Sequence, residues 1–137
     1  MGPEAAFKSA LKLIPEADFI INAGVAGSFN PNHEVGSCHL ISTVSYPSLP
    51  DILLAREGEK LLTSPKPIYD QVRNYGLVDM EGYMLAHIAK RYNKPIELLK
   101  VVSDHCNQSS HHNIKQRIDA LSDVIRYFVE ERLLLKR

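Results

Sequence analysis

Phe19-Ile20-Ile21-Asn22-Ala23-Gly24-Val25-Ala26-Gly27-Ser28 is the stretch that decides how the rest of the chain is read. Its first three residues form a short, wholly apolar strand, and Asn22 to Ser28 read as a turn of small residues. An apolar strand set between helical segments marks a central strand of a sheet covered on both faces. A turn of tiny residues at its end lets backbone amides approach a ligand, in the crevice where α/β sheets bind them. The competing reading is a tight turn packed beneath a neighbouring helix. The glycine spacing differs from the dinucleotide fingerprint, which needs three glycines opening a helix.

On the N-terminal side, Pro3 to Leu13 predicts a helix. Pro3 suits a first helical position, Glu4 suits the positive end of the dipole, and Phe7, Ala10, Leu11 and Ile14 share a face. Pro15 stops it. On the other side, Pro31 to Gly36 reads as a loop and Ser37 to Ser45 as a strand. Ser48 to Lys60 reads as a loop with a short helical turn, and Leu61 to Thr63 as a strand. A helical turn is expected over Tyr69 to Tyr75, then a strand over Gly76 to Asp79. Met84, Leu85, Ile88 and Ala89 recur at helical spacing and predict a helix from Glu81 to Tyr92, broken by Asn93-Lys94-Pro95. Ile96 to Val102 is a strand and Ser103 to Asn113 a polar loop. The clearest periodicity (Ile118, Leu121, Val124, Ile125, Phe128, Leu133) predicts a last helix from Ile114 to about Leu135. The order α-β-β-β-β-α-β-α predicts one layered α/β domain over 1–137.

Composition narrows the function classes. Sixteen basic and sixteen acidic residues cancel, which argues against a nucleic-acid partner and leaves no polybasic membrane signal. No apolar run approaches the ~18 residues of a membrane span, and Met1-Gly2-Pro3-Glu4 carries no signal-peptide pattern. Cys38 and Cys106 read as reduced thiols of a cytoplasmic protein, with a disulfide between them as the alternative.

Two acidic residues stand at strand ends. In Val78-Asp79-Met80-Glu81-Gly82, Glu81 falls where strand passes to helix, and the helix dipole favours its ionised form. A carboxylate there suits a pair of neighbouring sugar hydroxyls; the alternative is a helix cap. In Val102-Ser103-Asp104, Asp104 follows an apolar strand. A carboxyl partly withdrawn from water stays protonated more readily and can act as a general acid; the alternative is an acid opening a solvated loop. His105, Cys106, His111 and His112 crowd near Asp104 in a metal-like way, but the intervening Asn107-Gln108-Ser109-Ser110 reads as plain loop. No metal ligand set is read from the chain. His33, His39 and His87 read as surface or half-buried fillers.

Taken together, Ile20 to Gly27, Val35-Gly36, Val78-Asp79-Met80-Glu81-Gly82 and Val101-Val102-Ser103-Asp104 resemble the purine nucleoside phosphorylases and the methylthioadenosine/adenosylhomocysteine nucleosidases. Met-Glu followed some twenty residues later by Ser-Asp is the most specific part of the match. The resemblance implies a nucleoside phosphorylase/hydrolase-like fold, three layers α/β/α around a mixed, largely parallel sheet, and cleavage of the N-glycosidic bond of a purine nucleoside, with no cofactor. It implies that Met80 lies against the ribose, that Glu81 holds its 2′- and 3′-hydroxyls, and that Asp104 protonates the purine at N7 with Ser103 placing it. Ala26 and Gly27 would approach the substrate with their backbone, and Asp79 and Ile68 would join the substrate contacts, Pro67 and Tyr69 flanking the latter. Asn22 and Val25 stand where many phosphorylases place an Arg and a Ser for phosphate, so water is the expected nucleophile. Phosphorolysis and a silent nucleoside-binding domain are the alternatives. Relatives begin with several strands ahead of the helix at Pro3, one carrying the acid that activates water, so the chain reads as truncated relative to the family. The resemblance also implies a homodimer or higher homo-oligomer, which an unpaired sheet edge would favour.

Overall fold

The computed structural model describes residues 12–64, 76–106 and 114–136, with the side chains of 114–120 outside that description. After a single 3-10 turn, Ile14–Glu16, come β1 (Ile20–Ser28), β2 (Cys38–Ser45), β3 (Ile52–Leu53), β4 (Glu59–Thr63) and β5 (Leu77–Asp79). Helix α1 (Gly82–Arg91), strand β6 (Ile96–Asp104) and helix α2 (Ile114–Leu134) complete the order. The helix expected over Pro3–Leu13 lies outside the described residues except for Lys12 and Leu13, which are helical. The turn expected over Tyr69–Tyr75 also lies outside them.

The small-residue stretch is strand, not turn. From Ile20 to Gly27, β1 pairs parallel with β6, and at Gly27 and Ser28 it also pairs antiparallel with β5. Pairing with β6 along this stretch, joined by β5 at its end, supplies the backbone hydrogen bonds that the weak strand propensity of Ala and Gly would not secure alone. Ser48 to Lys60, expected as loop with a helical turn, contains β3 and the start of β4 instead.

The sheet is mixed, and its longest pairing, β1 with β6, is parallel. β1–β6, β2–β4 and β4–β5 run parallel; β1–β5, β2–β3 and β2–β6 run antiparallel. The segment joining β1 to β2 carries no helix, too short for the crossover that a parallel return requires, so β2 comes back in the opposite sense. The strand order is β3-β2-β4-β5-β1-β6, and β2 also pairs with β6 through Cys38–Leu40. The pairings therefore close into a ring, β2-β4-β5-β1-β6 and back to β2. Closure removes the sheet edge that was expected to favour association, leaving the two-residue β3 outside the ring.

The core cluster joins Ala26, Ile41, Val44, Leu61, Leu77, Ile96, Leu98 and Val102 to Tyr83, Ala86, Ile88 and Ala89 of α1. Leu61, Leu77 and Leu98 are wholly buried, each contributing roughly 1.5–3 kcal/mol of hydrophobic stabilisation. α1 ends on Asn93, whose φ of 55° is tolerated because its short polar side chain permits the left-handed region. Lys94 N then donates to Ala89 O at 2.8 Å, and Pro95 leads into β6. On the other side of β6, Glu97 reaches Arg132 of α2. Among the described residues no helix is long and apolar enough to cross a membrane.

Candidate functional site

The junction between β5 and α1 is organised by a buried polar network. Asp79 Oδ1 accepts from Thr63 Oγ1 at 2.7 Å, and Asp79 Oδ2 accepts from Gly82 N at 2.9 Å. Thr63 Oγ1 accepts in turn from Tyr83 N at 2.9 Å. The first amides of a helix have no partner within it; here Asp79 and Thr63 satisfy them. Lys100 Nζ lies 3.1 Å from Asp79 Oδ2 and donates to Asn22 Oδ1 at 3.1 Å. The two charged side chains are only 1% and 4% exposed, so each supplies the counter-charge that the other's burial demands.

This network releases Glu81 from capping. Glu81 occupies the N-cap position with φ −142° and makes no side-chain cap bond. It is half-buried, and among the described residues no hydrogen bond or ion pair engages its carboxylate. Met80, beside it, is also half-buried. Asp79, grouped in the sequence with the substrate contacts, instead has its carboxylate committed to Thr63, Gly82 and Lys100.

The second half of the site lies at the far end of β6. Ala26 pairs with Val102, but Gly27 pairs with Asp104, so one extra residue, Ser103, is accommodated between them. An extra residue in one strand reverses the facing of the residues beyond it. Asp104 therefore faces with Gly27 instead of with the core residues Ala26 and Val102. Ser103 Oγ donates to Asp104 Oδ2 at 2.8 Å, and Cys106 N donates to Asp104 Oδ1 at 2.8 Å. The Asp104 residue is 7% exposed, in contrast to an acid opening a solvated loop.

Gly27 is required by this packing. A Cβ there would lie 2.5 Å from Cys106 Sγ, 3.1 Å from Asp104 Oδ1 and 3.5 Å from Val78 Cγ1. Cys106 itself sits at φ 58° and is buried. Burial first, and then the charge of Asp104, pushes its thiol up to about 12, so it stays an unreactive neutral thiol packed against the carboxyl group. It is not disulfide-bonded, nor is the exposed Cys38.

Val78, Gly27 and Asp104 thus form one row across β5, β1 and β6, with Val78 and Asp104 about 10 Å apart at the usual strand spacing. Ala26 and Ser103 flank that row and are bonded to each other, Ser103 Oγ to Ala26 O at 3.4 Å. Because β5 runs opposite to β1 and β6, the chain after Val78 turns back alongside β1 to reach Met80 and Glu81. Ile68, with Pro67 and Tyr69, lies outside the described residues. Sequence reasoning missed Lys100, Thr63 and Cys106. A lone lysine inside Ile96–Val102 was a signal, because a charge in a buried strand requires a partner. Thr63 and Cys106 carried none, since their roles depend on contacts between distant segments.

No protein-family model and no curated protein matches the sequence. Solved structures do match. The 5′-methylthioadenosine/S-adenosylhomocysteine (MTA/SAH) nucleosidase from Colwellia psychrerythraea, in complex with adenine, aligns with a TM-score of 0.83 at 16% identity, over 94% of this chain and 72% of that one. The futalosine hydrolase of Helicobacter pylori aligns at 0.84 with 11% identity, over 95% and 74%. A Chlamydia trachomatis MTA/SAH-type nucleosidase bound to MTA aligns at 0.71 with 27% identity, over 79% of this chain and 60% of that one. The fold of this chain is that of the nucleoside phosphorylase/hydrolase superfamily.

Proposed function

We propose that this chain, built on the nucleoside phosphorylase/hydrolase fold, binds a purine nucleoside between Glu81 and Asp104 and takes part in hydrolysing its N-glycosidic bond. Breaking that bond builds positive charge on the ribose and negative charge on the departing purine. Glu81, uncommitted at the start of α1, accepts from the ribose hydroxyls with Met80 against the sugar. Asp104 meets the base at N7, held by Ser103 and by the amide of Cys106, while Ala26 and Gly27 present backbone to the substrate. The observation that carries this reading is the re-aiming of Asp104 by the β1/β6 irregularity onto the side of Gly27, whose lack of a Cβ makes room for the Asp104 carboxylate and the Cys106 sulfur.

Water is the proposed nucleophile. A phosphate dianion needs cationic or hydroxyl partners, and among the described residues the cation bonded to Asn22 is Lys100, buried and already paired with Asp79. The adenine- and MTA-bound neighbours make 5′-methylthioadenosine the first substrate to try. Release of adenine in phosphate-free buffer, lost in Asp104→Asn while the circular-dichroism spectrum is unchanged, supports the reading. Release only when phosphate is added would make the chain a phosphorylase; binding of the nucleoside with no release would make it a silent binding domain.

A further inference from the structure

We propose that His33, His39 and Glu59 form a binding site for a divalent first-row transition ion, zinc in the first instance, at the end of the strand ring beside β1. One ligand atom from each of the three lies within 4.8 Å of the others. The residues come from three separate elements: His33 from the connection after β1, His39 from β2 and Glu59 from the first position of β4. His33 Nε2 lies 3.2 Å from Glu59 Oε1, and the two imidazole rings sit 4.5 Å apart. Zinc bonds of roughly 2.0–2.1 Å at tetrahedral angles put neighbouring ligand atoms about 3.3 Å apart, so the His33–Glu59 pair has the separation of one edge of such a site. Two imidazoles and a carboxylate are a donor set suited to zinc and its neighbours rather than to calcium or magnesium.

The hydrogen bonds behind the rings point the same way. Metal-binding imidazoles have their second nitrogen held by an oxygen partner, and both rings meet this condition. Ser37 Oγ donates its single proton to Glu34 O at 2.6 Å and lies 2.8 Å from His39 Nε2. The proton in that second bond must therefore belong to His39 Nε2, which leaves Nδ1 of the neutral ring with a free lone pair. Ser28 Oγ lies 2.7 Å from His33 Nδ1, so the nitrogen aimed at Glu59 is Nε2. Ser28 is wholly buried, which makes it a support for the ring and excludes it as the nucleophile of a Ser-His-Glu arrangement. The Glu59 side chain is 38% exposed, giving an ion a way in and leaving room for a water at a fourth position. The bound ion would tie the β1–β2 connection to β2 and β4 close to the Gly27 end of β1.

The test is titration of the untagged, chelator-treated chain with Zn²⁺ in competition with a chromophoric chelator, and with Co²⁺ followed by its visible absorption. One equivalent should bind, with Co²⁺ bands of four- or five-coordinate geometry and a rise in Tm. Glu59→Gln and His39→Gln should each weaken binding by about 100-fold while circular dichroism shows the fold retained, and His87→Gln, at an exposed histidine on α1, should leave it unchanged. Failure of the unaltered chain to bind an equivalent, or affinity in Glu59→Gln within threefold of the original, would overturn the proposal. So would loss of binding in His87→Gln. If Glu59 and His33 are no more than a surface-facing ion pair, the substitutions shift Tm slightly and no ion binds, which overturns it as well.

Discussion

Lys100 Nζ and Asp79 Oδ2 stand 3.1 Å apart inside the molecule, and the same carboxylate accepts the amide of Gly82 at the start of α1. The pair links β5 to β6 across β1, whose Asn22 completes the lysine's partners. One buried charge pair thereby fixes the strand-to-helix turn that presents Met80 and Glu81.

Removing one member leaves the other charged and unpaired in the core. Lys100→Met should lower the free energy of unfolding by about 3–5 kcal/mol, read from urea denaturation. Asp79→Leu should cost as much, and the double variant should cost clearly less than the sum of the two, because the two residues are in direct contact.

Glu81 should behave in the opposite way to Asp79. With no described partner to lose, Glu81→Gln should change stability by no more than ~0.5 kcal/mol. Loss of charge-assisted bonds to a sugar is worth about 1.5–3 kcal/mol, or roughly 10- to 150-fold in nucleoside affinity or kcat/KM. A stable Glu81→Gln protein with undiminished nucleoside binding would remove Glu81 from the site.

Gly27 and Cys106 should be coupled. The methyl group of Gly27→Ala would press on Cys106 Sγ and Asp104 Oδ1, costing about 1–3 kcal/mol of stability. Cys106→Ala vacates the volume the sulfur occupies. The double variant should therefore recover part of the loss, seen as a higher Tm than Gly27→Ala alone.

The tie between β6 and α2 should be acid-sensitive. Arg132 donates to Glu97 through Nε at 3.2 Å and Nη2 at 2.6 Å, with Lys136 3.4 Å away. The Arg132 hydrogen bond, against the opposing effect of burial and helped by the charges of Arg132 and Lys136, holds the Glu97 carboxyl below the usual glutamate range. A depressed folded-state value means the contribution is complete above the ordinary glutamate range and is lost as pH falls through the depressed value. Glu97→Gln should thus cost about 1 kcal/mol at neutral pH, and its stability curve should converge on the original in acid.

Much of this protein was written in local pattern. The apolar runs at Ile20, Leu61, Leu77 and Ile96 and the periodicity of Met84 to Ala89 located strands and helices, because burial of one face leaves a repeat in the chain. The same pattern put Glu81 and Asp104 at element junctions. Local pattern did not show that Asn22 to Ser28 is strand, since its hydrogen-bond partners lie some seventy residues further along in β6. It also left open which acid caps α1 and which way Asp104 faces. The tertiary structure decided both: Thr63 and Lys100 claimed Asp79 for the core, and a single-residue register slip against Gly27 turned Asp104 away from it. Side-chain facing in a sheet follows from register against the neighbouring strand, and that register is set by long-range pairing.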